Sequence, residues 1–386
     1  MYLPSRIAYS LSVRIFDLED RKQWAKKNVP FIIIELIALA ASIVVLYVVT
    51  ITTRTVKKVD IDQDSIIINE TSSAGEGPAG VGKTAGDEVV SSGSGVRNIA
   101  LFGVDSRDGN LSKRTRSDTM IIASVDQDAH EIRLVSIYRD TYLNLGNDTY
   151  SKANAAYAKG GPEQAINMLN MNLDMDITDY VTIGFEGLSE AVDALGGVEI
   201  DIAVDEISHL NNYQRSMYVN EDGTGELNED IIEVYDDGLQ TLNGLQATAY
   251  CRIRYTAGND YKRAERQRTV ITKLLERASS SSVSKLTKAA MAILPHVETS
   301  LPADEVMKLL ASASEYSVVS SEGLPFEQNR YPAKVGVDGW CIVPTTLEDN
   351  ARALHEMLYP GTEYTPSDTV VAISNHIADY CAPYMQ

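Results

Sequence analysis

A short stretch in the second half of the chain concentrates positive charge. Between residues 252 and 268 there are six basic residues, five of them arginine, against two carboxylates. Guanidinium groups are planar and donate paired hydrogen bonds that suit phosphate oxygens better than lysine does. A solvated basic face, or pairing with local carboxylates, would also explain the run. The basic residues are Arg252, Arg254, Lys262, Arg263, Arg266 and Arg268.

Spacing indicates which of these side chains act together. Arg263 and Gln267 are four residues apart, so they share one face of a predicted helix. Arg252 and Arg254 alternate, so both point the same way if the segment is extended. The spacing therefore predicts two pairs of donors within one anion site.

Carboxylates collect near the ends of predicted strands. The segments are Gly103–Arg107, Arg116–Thr119 and Ser136–Thr141. A single aspartate there is more often a turn or capping residue. Asp105 and Asp118 together, however, can hold a hard cation such as Mg²⁺ or Mn²⁺ and leave positions for phosphate oxygens. A metal and arginines are the parts that stabilise charge in phosphoryl transfer.

The elements that must position these residues alternate between strand and helix. Strands are predicted at 98–104, 119–125, 132–137, 180–183, 198–202 and 339–344, and helices at 162–173, 185–195, 243–250, 260–279 and 346–359, with two more within 283–316. The polar residues 126–131 predict a hairpin between the second and third strands. The pattern predicts an α/β fold with a mixed central sheet covered by helices.

The N-terminal region predicts a membrane anchor. Residues 31–51 are largely apolar with one charge, Glu35, and the run is long enough to cross a bilayer. Six Lys/Arg precede the span and three follow it closely, which places the N-terminus in the cytoplasm and the rest outside. A cleaved signal peptide is the alternative, but its apolar core would be shorter. We expect a tail at 1–28, one transmembrane helix at 29–51 and a single-pass protein of the cell membrane.

Residues 52–96 predict a flexible extracellular linker, since Ser, Gly and Thr dominate. Within it, Gly77–Thr84 matches the phosphate-binding loop pattern GxxxxGK[ST]. That pattern needs a helix after the threonine, and Ala-Gly-Asp-Glu-Val-Val-Ser-Ser-Gly will not propagate one. We interpret the match as an accident of composition.

Charge and cysteine content exclude other classes. The net charge of −20 argues against nucleic acid as a partner, because binding it requires a basic surface. The scattered histidines argue against a histidine-based zinc site. Of the three cysteines, Cys341 and Cys381 are predicted to pair if the domain is extracellular, and Cys251 to stay reduced.

In order along the chain, the motifs GVDSR, RSDTM, SIYRDT, KANAAYAKGG, LGGVEIDI, LNGLQATAYCRIRY and KRAERQR resemble the LytR–CpsA–Psr family of cell-envelope phosphotransferases. The resemblance covers roughly residues 98–278. It implies a catalytic domain at 97–320 and leaves a C-terminal extension at 321–386 without a role. It also implies Mg²⁺-dependent transfer of a phosphosaccharide from a polyprenyl diphosphate carrier to peptidoglycan.

The resemblance also implies roles for individual residues. Asp105 and Asp118 would hold the metal, and Asp105, Arg139 and Arg263 would be catalytic. A lipid tail would enter an apolar channel. Phe185, Leu188, Val192 and Leu195 have the spacing to line one wall of it, and the alternative is that they are ordinary core residues. The diphosphate would be held by Arg116, Lys152, Arg252, Arg254, Asp260 and Gln267 together with the catalytic arginines.

One departure bears on the site. The family usually has proline before the Arg-Asp pair, and this chain has Tyr138. Either residue fits an extended segment, so we expect Arg139 still to be presented. Three alternatives remain: a hydrolase of polyprenyl diphosphates, a passive wall-binding module, and a transcriptional attenuator. Direct DNA binding by a 28-residue tail is implausible.

Overall fold

The computed structural model describes residues 57–58, 61–70, 95–104, 111, 115–217, 231–254, 256 and 259–385. The predicted tail, the transmembrane span, Gly77–Thr84 and Asp105 lie outside these residues. Within the described ranges, no helix combines the length and apolar character that crossing a bilayer requires.

The described elements alternate as the sequence predicts. The strands are β1 (Lys57–Lys58), β2 (Val96–Val104), β3 (Ser117–Asp126), β4 (Glu131–Ile137), β5 (Tyr142–Asn144), β6 (Tyr150–Lys152), β7 (Asp179–Gly184), β8 (Val198–Ile202), β9 (Gly238–Leu242), β10 (Val297–Thr299), β11 (Ser317–Leu324), β12 (Arg330–Val335) and β13 (Gly339–Pro344). The helices are α1 (Asn154–Leu173), α2 (Phe185–Ala194), α3 (Val204–Met217), α4 (Gly244–Arg252), α5 (Asn259–Ser279), α6 (Val283–Ile293), α7 (Ala303–Ser312), α8 (Leu347–Leu358) and α9 (Asp368–Cys381).

Seven strands form the central sheet, in the order β1–β10–β7–β2–β3–β4–β11. β3 pairs antiparallel with both β2 and β4, and Asp126 lies opposite Glu131 where the β3–β4 hairpin turns. β7 runs parallel to β2, and β11 runs parallel to β4. The α/β class, the mixed sheet and the hairpin are therefore confirmed.

Strand alternation gives the sheet two apolar faces. Phe102, Met120 and Val135 point to one face and pack with helix α1. Ile121 and Leu134 point to the other face, where Ile271 of α5 packs against them. Each fully buried side chain of this size contributes about 1.5–3 kcal/mol. The sheet is thus held between α1 and α5.

Helix α1 contains a kink that the sequence explains. Gly161 has φ of 73° and interrupts the helix, and Pro162 follows it. A positive φ suits glycine, and proline lacks the N–H that an interior helical position would donate. The second half of α1 therefore starts at Pro162, as its position in the sequence predicts.

The C-terminal residues share the main core. Leu324 at the end of β11, Val343 in β13 and Leu354 in α8 belong to the same apolar cluster as Phe102 and Met120. The predicted boundary at residue 320 falls inside β11. The segment 321–386 is therefore part of the same packed unit as the sheet.

Two other expectations change. Part of the predicted linker packs on the domain: Ile66 is buried in the core, and the Ile67 N–H donates to Asn167 Oδ1 at 2.8 Å. The cysteines Cys251, Cys341 and Cys381 are all buried and all free, so the predicted Cys341–Cys381 disulfide is wrong.

Candidate active site

Asp118 lies at the centre of a cluster of arginines. Its Oδ1 accepts from Arg139 Nη1 at 2.6 Å, and its Oδ2 accepts from Arg254 Nη2 at 3.1 Å and from Arg263 Nη2 at 2.9 Å. Three cations on one carboxylate leave the cluster with excess positive charge. Such a site favours a ligand with several negative charges.

The fold brings these residues together from distant parts of the chain. Asp118 is the second residue of β3, and Arg139 comes two residues after β4 ends. Because β3 and β4 are antiparallel, the start of one and the end of the other meet at the same edge of the sheet. Arg263 projects from the first turns of α5, and Arg254 follows α4 after one residue.

A small cleft opens at this edge. Five of its lining residues are predicted site residues. The other four are neighbours of these on the strand ends and on α5. The lining residues are Asp118, Met120, Ser136, Ile137, Arg139, Asp260, Arg263, Ala264 and Gln267.

Charge and burial compete at Asp118. Burial would raise the pKa of this carboxyl, but Arg263, Arg139 and Arg254 outweigh it and hold the pKa below its usual value. The carboxylate therefore stays ionised at neutral pH. Arg263 shows the opposite balance, because burial lowers the pKa of its guanidinium more than Asp118 raises it. Arginine remains charged nonetheless.

Arg263 also has donors without acceptors. The residue is 4% exposed, and within the described part of the chain its Nε and Nη1 have no hydrogen-bond partner. The buried Ser136 hydroxyl beside it is likewise unpaired among the described residues. Unsatisfied buried donors are costly unless a ligand completes them. Oxygens of a phosphate group in the cleft would do so.

Asp140 forms a second carboxylate bridge. Its Oδ2 accepts from Arg139 Nε at 3.3 Å, and its Oδ1 lies 2.9 Å from Lys152 Nζ. Lys152 is therefore linked to Arg139 through Asp140 rather than directly. Sequence reasoning missed Asp140, although its place beside Arg139 was a signal that could have found it.

The remaining predicted residues differ in position. Gln267 lines the cleft, and its Nε2 donates to the Cys251 carbonyl at 3.4 Å. Asp260 also lines the cleft, with Oδ1 at 3.9 Å from Arg254 Nε. Arg116 is exposed and immediately precedes β3.

The predicted arrangement of Arg252 and Arg254 along one extended segment does not occur. Arg252 is the last residue of helix α4. Its guanidinium lies over the Phe185 ring at 4.5 Å and over the Tyr213 ring at 5.5 Å. Contacts of this kind attract the cation to the ring face. Arg252 is thus held beside α2 and α3.

The residues predicted to line a lipid channel divide into two groups. Phe185 and Leu188 on α2 are half-buried, and Phe185 carries Arg252 on its ring. Val192 and Leu195 are buried in two different apolar clusters. Their packing is that of core residues, and the channel stays a prediction.

An aromatic group borders the cleft and was not foreseen. Tyr138 and Tyr261 meet edge to face with centroids 4.8 Å apart. The Arg330 guanidinium lies 3.9 Å from the Tyr261 centroid and donates from Nη1 to Tyr138 Oη at 3.2 Å. Tyr138, which stands where the family usually has proline, is buried against α5. Arg139 still donates to Asp118 beside it. Arg330 could not be found from local spacing because it lies more than sixty residues after the arginine run.

The described residues supply only some of the oxygen ligands that a hard divalent cation requires. Asp118 is ionised, and its Oδ1, which accepts one arginine hydrogen bond, keeps a second lone pair. Val104, which precedes Asp105 in the chain, pairs with Ser117, which precedes Asp118. Within the described ranges, no group of three or more His, Cys, Asp or Glu residues could hold a metal. A site based on Asp118 would therefore rely on few protein ligands, as Mg²⁺ sites with phosphate often do.

Comparison with known sequences decides the family. The sequence model of the LytR–CpsA–Psr family matches residues 49–354. The chain belongs to the LytR–CpsA–Psr family. The match includes every described residue of the arginine cluster and ends within α8, well past the motifs that first indicated the resemblance.

Curated relatives of the family carry related names. A polyisoprenyl-teichoic acid–peptidoglycan teichoic acid transferase TagU from Enterococcus faecalis is 34% identical over 55% of this chain and 64% of its own length. The TagV transferase from Bacillus subtilis is 28% identical over 58% of this chain and 54% of its own. The chain thus matches less than two thirds of these relatives. The biofilm regulatory protein A of Streptococcus mutans is 28% identical over 68% of this chain and 69% of its own.

Solved structures of the family have the same fold. The crystal structure of B. subtilis TagV superposes with a TM-score of 0.55 and 27% identity, covering 71% of this chain and 99% of that one. A structure of TagT bound to LI-WTA has a TM-score of 0.53 and 21% identity, over 69% of this chain and 92% of that one. The second similarity supports the fold alone.

Proposed function

We propose that this protein transfers a phosphosaccharide from a polyprenyl diphosphate carrier to a hydroxyl of peptidoglycan, with Mg²⁺ or Mn²⁺ as cofactor. The observation that carries the proposal is the convergence of Arg139, Arg254 and Arg263 on Asp118. The names of TagU and TagV add the substrate class, a polyisoprenyl-linked teichoic acid, and the acceptor.

In this proposal the diphosphate takes over hydrogen bonds that Asp118 accepts in its absence. Arg263 would supply its unpaired Nε and Nη1 donors, and Arg139 would stay oriented by Asp140. Asp105 and Asp118 would hold the divalent cation, which supplies further positive charge at the diphosphate. Preorganised donors of this kind stabilise the charge that develops as a bridging bond breaks.

The proposed step balances as a displacement at phosphorus. The acceptor oxygen bonds to the phosphorus nearest the saccharide, and the bridging P–O bond breaks. Polyprenyl phosphate leaves with the electron pair, and the hydroxyl proton is released to water. The arginines bind and orient the diphosphate, and none of them takes up that proton because guanidinium stays protonated. The product is a phosphodiester.

The cellular setting is part of the proposal. A lipid-linked donor requires the cleft to work beside a bilayer, and the apolar residues 31–51 would anchor the chain there. The excess of Lys/Arg before that segment supports a cytoplasmic N-terminus and an extracellular catalytic domain.

The test uses the full chain in lipid vesicles with a polyprenyl diphosphate-linked saccharide and peptidoglycan strands. We expect metal-dependent formation of a saccharide–peptidoglycan phosphodiester. Arg263→Lys keeps the charge but loses the planar fork, so kcat should fall about 10²–10³-fold. The matched control is Arg277→Lys on the same helix, where the side chain is exposed and donates to the Leu195 carbonyl.

Two results would reject the proposal. Full turnover by Arg263→Lys would mean that the arginine cluster is not the site. Free phosphosaccharide as the only product in the presence of peptidoglycan would identify a hydrolase. Mass spectrometry of the released and wall-bound products separates the two reactions.

A further inference from the structure

The β12–β13 hairpin has two chemically different faces. Alternation places Ala333, Val335, Cys341 and Val343 on the inner face, and all are buried in the main core. The outer face carries the cross-strand pairs Pro332–Ile342 and Lys334–Trp340, with Arg330 at the start of β12. Local packing accounts for the inner face and, on the outer face, for Ile342 and Arg330, but not for Trp340 and Lys334.

The outer face begins at the catalytic cleft. Ile342 packs in one apolar cluster with Tyr138, Tyr261 and Ala264, and Ala264 lines the cleft. The Ile342 N–H donates to the Asp140 carbonyl at 2.9 Å, and Asp140 in turn orients Arg139. The hairpin is therefore tied to the site by both its backbone and its side chains.

The far end of the same face is open. Trp340 is 68% exposed, and Lys334 beside it is also exposed. On an extended strand, residues two apart lie about 7 Å from each other, so Trp340 stands one such step beyond Ile342. An exposed indole flanked by polar groups is typical of a binding surface, because indole contributes a large apolar area when covered.

This combination suits one kind of partner. Sugar rings present faces of C–H groups that stack on aromatic rings, while their edges carry hydroxyls that accept hydrogen bonds. Arg330 and Lys334 supply donors and positive charge on a chain with net charge −20. The carboxylates of peptidoglycan peptides complement that local charge. A glycan that covers Trp340 and extends along the face would reach the cleft.

We propose that the outer face of the β12–β13 hairpin binds the acceptor glycan strand, with Trp340 as the stacking platform and Arg330 and Lys334 as polar contacts. The proposal rests on the transfer reaction proposed above and gives the C-terminal segment a function in it. Trp340 and Lys334 would determine acceptor binding without touching the diphosphate.

Direct binding can be measured without catalysis. The chain has two tryptophans, Trp24 and Trp340, so Trp24→Phe in the full chain leaves Trp340 as the sole indole. We expect a saturable change in its emission on titration with purified peptidoglycan glycan strands free of teichoic acid. An unchanged emission at strand concentrations that support transfer would overturn the proposal. So would the same change produced by protein concentration alone or by vesicles lacking glycan, which would indicate a second copy or a lipid surface.

Kinetics give the second readout. Trp340→Ala should raise the KM for the acceptor strand about tenfold and leave the KM for the lipid-linked donor unchanged. Because Trp340 is exposed, the variant should fold normally. Tyr235→Ala is the matched control, since Tyr235 is an aromatic residue 77% exposed at a different place on the surface.

The outcomes distinguish this proposal from the proposed function. An unchanged acceptor KM in Trp340→Ala, with normal transfer, would reject the acceptor surface alone. Saturable binding of strands at Trp340 in a protein that only hydrolyses the donor would reject the transferase and leave the glycan surface in place.

Discussion

At the scale of single residues, Asp118 determines where the three arginines of the site lie. Its side chain is 18% exposed and accepts from three arginines, of which Arg263 is 4% exposed. The carboxylate keeps the arginines close together in spite of their mutual repulsion. It is therefore both a predicted metal ligand and the counterion that positions the donors for a diphosphate.

This arrangement predicts a pH-dependent effect on stability. Because the arginines hold the folded pKa of Asp118 below its usual value, ionised Asp118 favours the folded state. That contribution is fully present above the unfolded value of about 4 and is lost as the pH falls through the folded pKa. Asp118→Asn should lower the free energy of unfolding by about 3 kcal/mol at pH 7, since it leaves Arg263 buried without a counterion.

Thermal and denaturant unfolding of both proteins between pH 2.5 and 8 measure the effect. The difference between wild type and variant should be constant above about pH 5 and shrink below about pH 4. Asp379→Asn, which removes an exposed carboxylate on α9, is the control. A difference that stays constant down to pH 2.5 would contradict the counterion role.

Residue type carried most of the information about the site. The bias to arginine and the spacing of Arg263 and Gln267 were sufficient to place both in the cleft. Arg330 was missed for a physical reason, because its role depends on contact with Tyr261, which is distant in the chain and comes close only after folding. Asp140 was missed although its place beside Arg139 was a signal in the sequence.

At the scale of elements, β11 supports Tyr138 and through it Arg139. The Tyr138 N–H donates to the Leu324 carbonyl at 2.9 Å. A Cβ added to Gly323 would lie 2.1 Å from Tyr138 Oη and 2.4 Å from its Cζ. The absence of a side chain at residue 323 is thus what makes room for the tyrosine that replaces proline.

This contact predicts a strong coupling between two positions. Gly323→Ala should destabilise the fold by about 1–3 kcal/mol and lower turnover, because Tyr138 and the adjacent Arg139 must move. In a Tyr138→Ala background the same change should cost much less. A double-mutant cycle in urea measures the coupling. Equal costs in both backgrounds would show that the tyrosine ring is not the obstacle.

The strand β11 escaped sequence analysis because it is polar and largely exposed. The strands β2, β3 and β4 have apolar runs and were predicted within two residues of their bounds. β11 has the polar sequence Ser-Val-Val-Ser-Ser-Glu-Gly-Leu, and only its last two residues are buried. β11 is an edge strand, and its place is fixed by pairing with β4 rather than by an apolar run of its own.

At the scale of the whole molecule, the C-terminal segment is part of the core of the domain that carries the candidate site. Leu354 on α8 is fully buried in the cluster that contains Phe102 and Met120. Leu354→Ala should therefore lower the stability of the entire domain by about 2–5 kcal/mol. Glu356→Ala on the exposed side of the same helix should change it by less than about 0.5 kcal/mol.

Both variants can be followed by urea unfolding with circular dichroism and turnover as probes. We expect one transition, shifted to lower urea in Leu354→Ala, with activity lost in the same range. A separate early transition that leaves turnover intact would show that residues 321–386 unfold independently of the site.

The orientation of the chain in the membrane is the remaining prediction at this scale. The free cysteines are buried, and burial raises the pKa of the Cys251 and Cys341 thiols to about 12, so they should react slowly with maleimides. A cysteine introduced at Ser91, beyond the apolar segment, should react with a membrane-impermeant maleimide added to intact protoplasts. One introduced at Ser5 should react only after lysis, because the excess of Lys/Arg before residue 31 favours a cytoplasmic N-terminus. The wild-type chain measures background labelling. Labelling of Ser5→Cys in intact protoplasts, with Ser91→Cys protected, would place the catalytic cleft on the cytoplasmic side, away from peptidoglycan, and would exclude the proposed transfer.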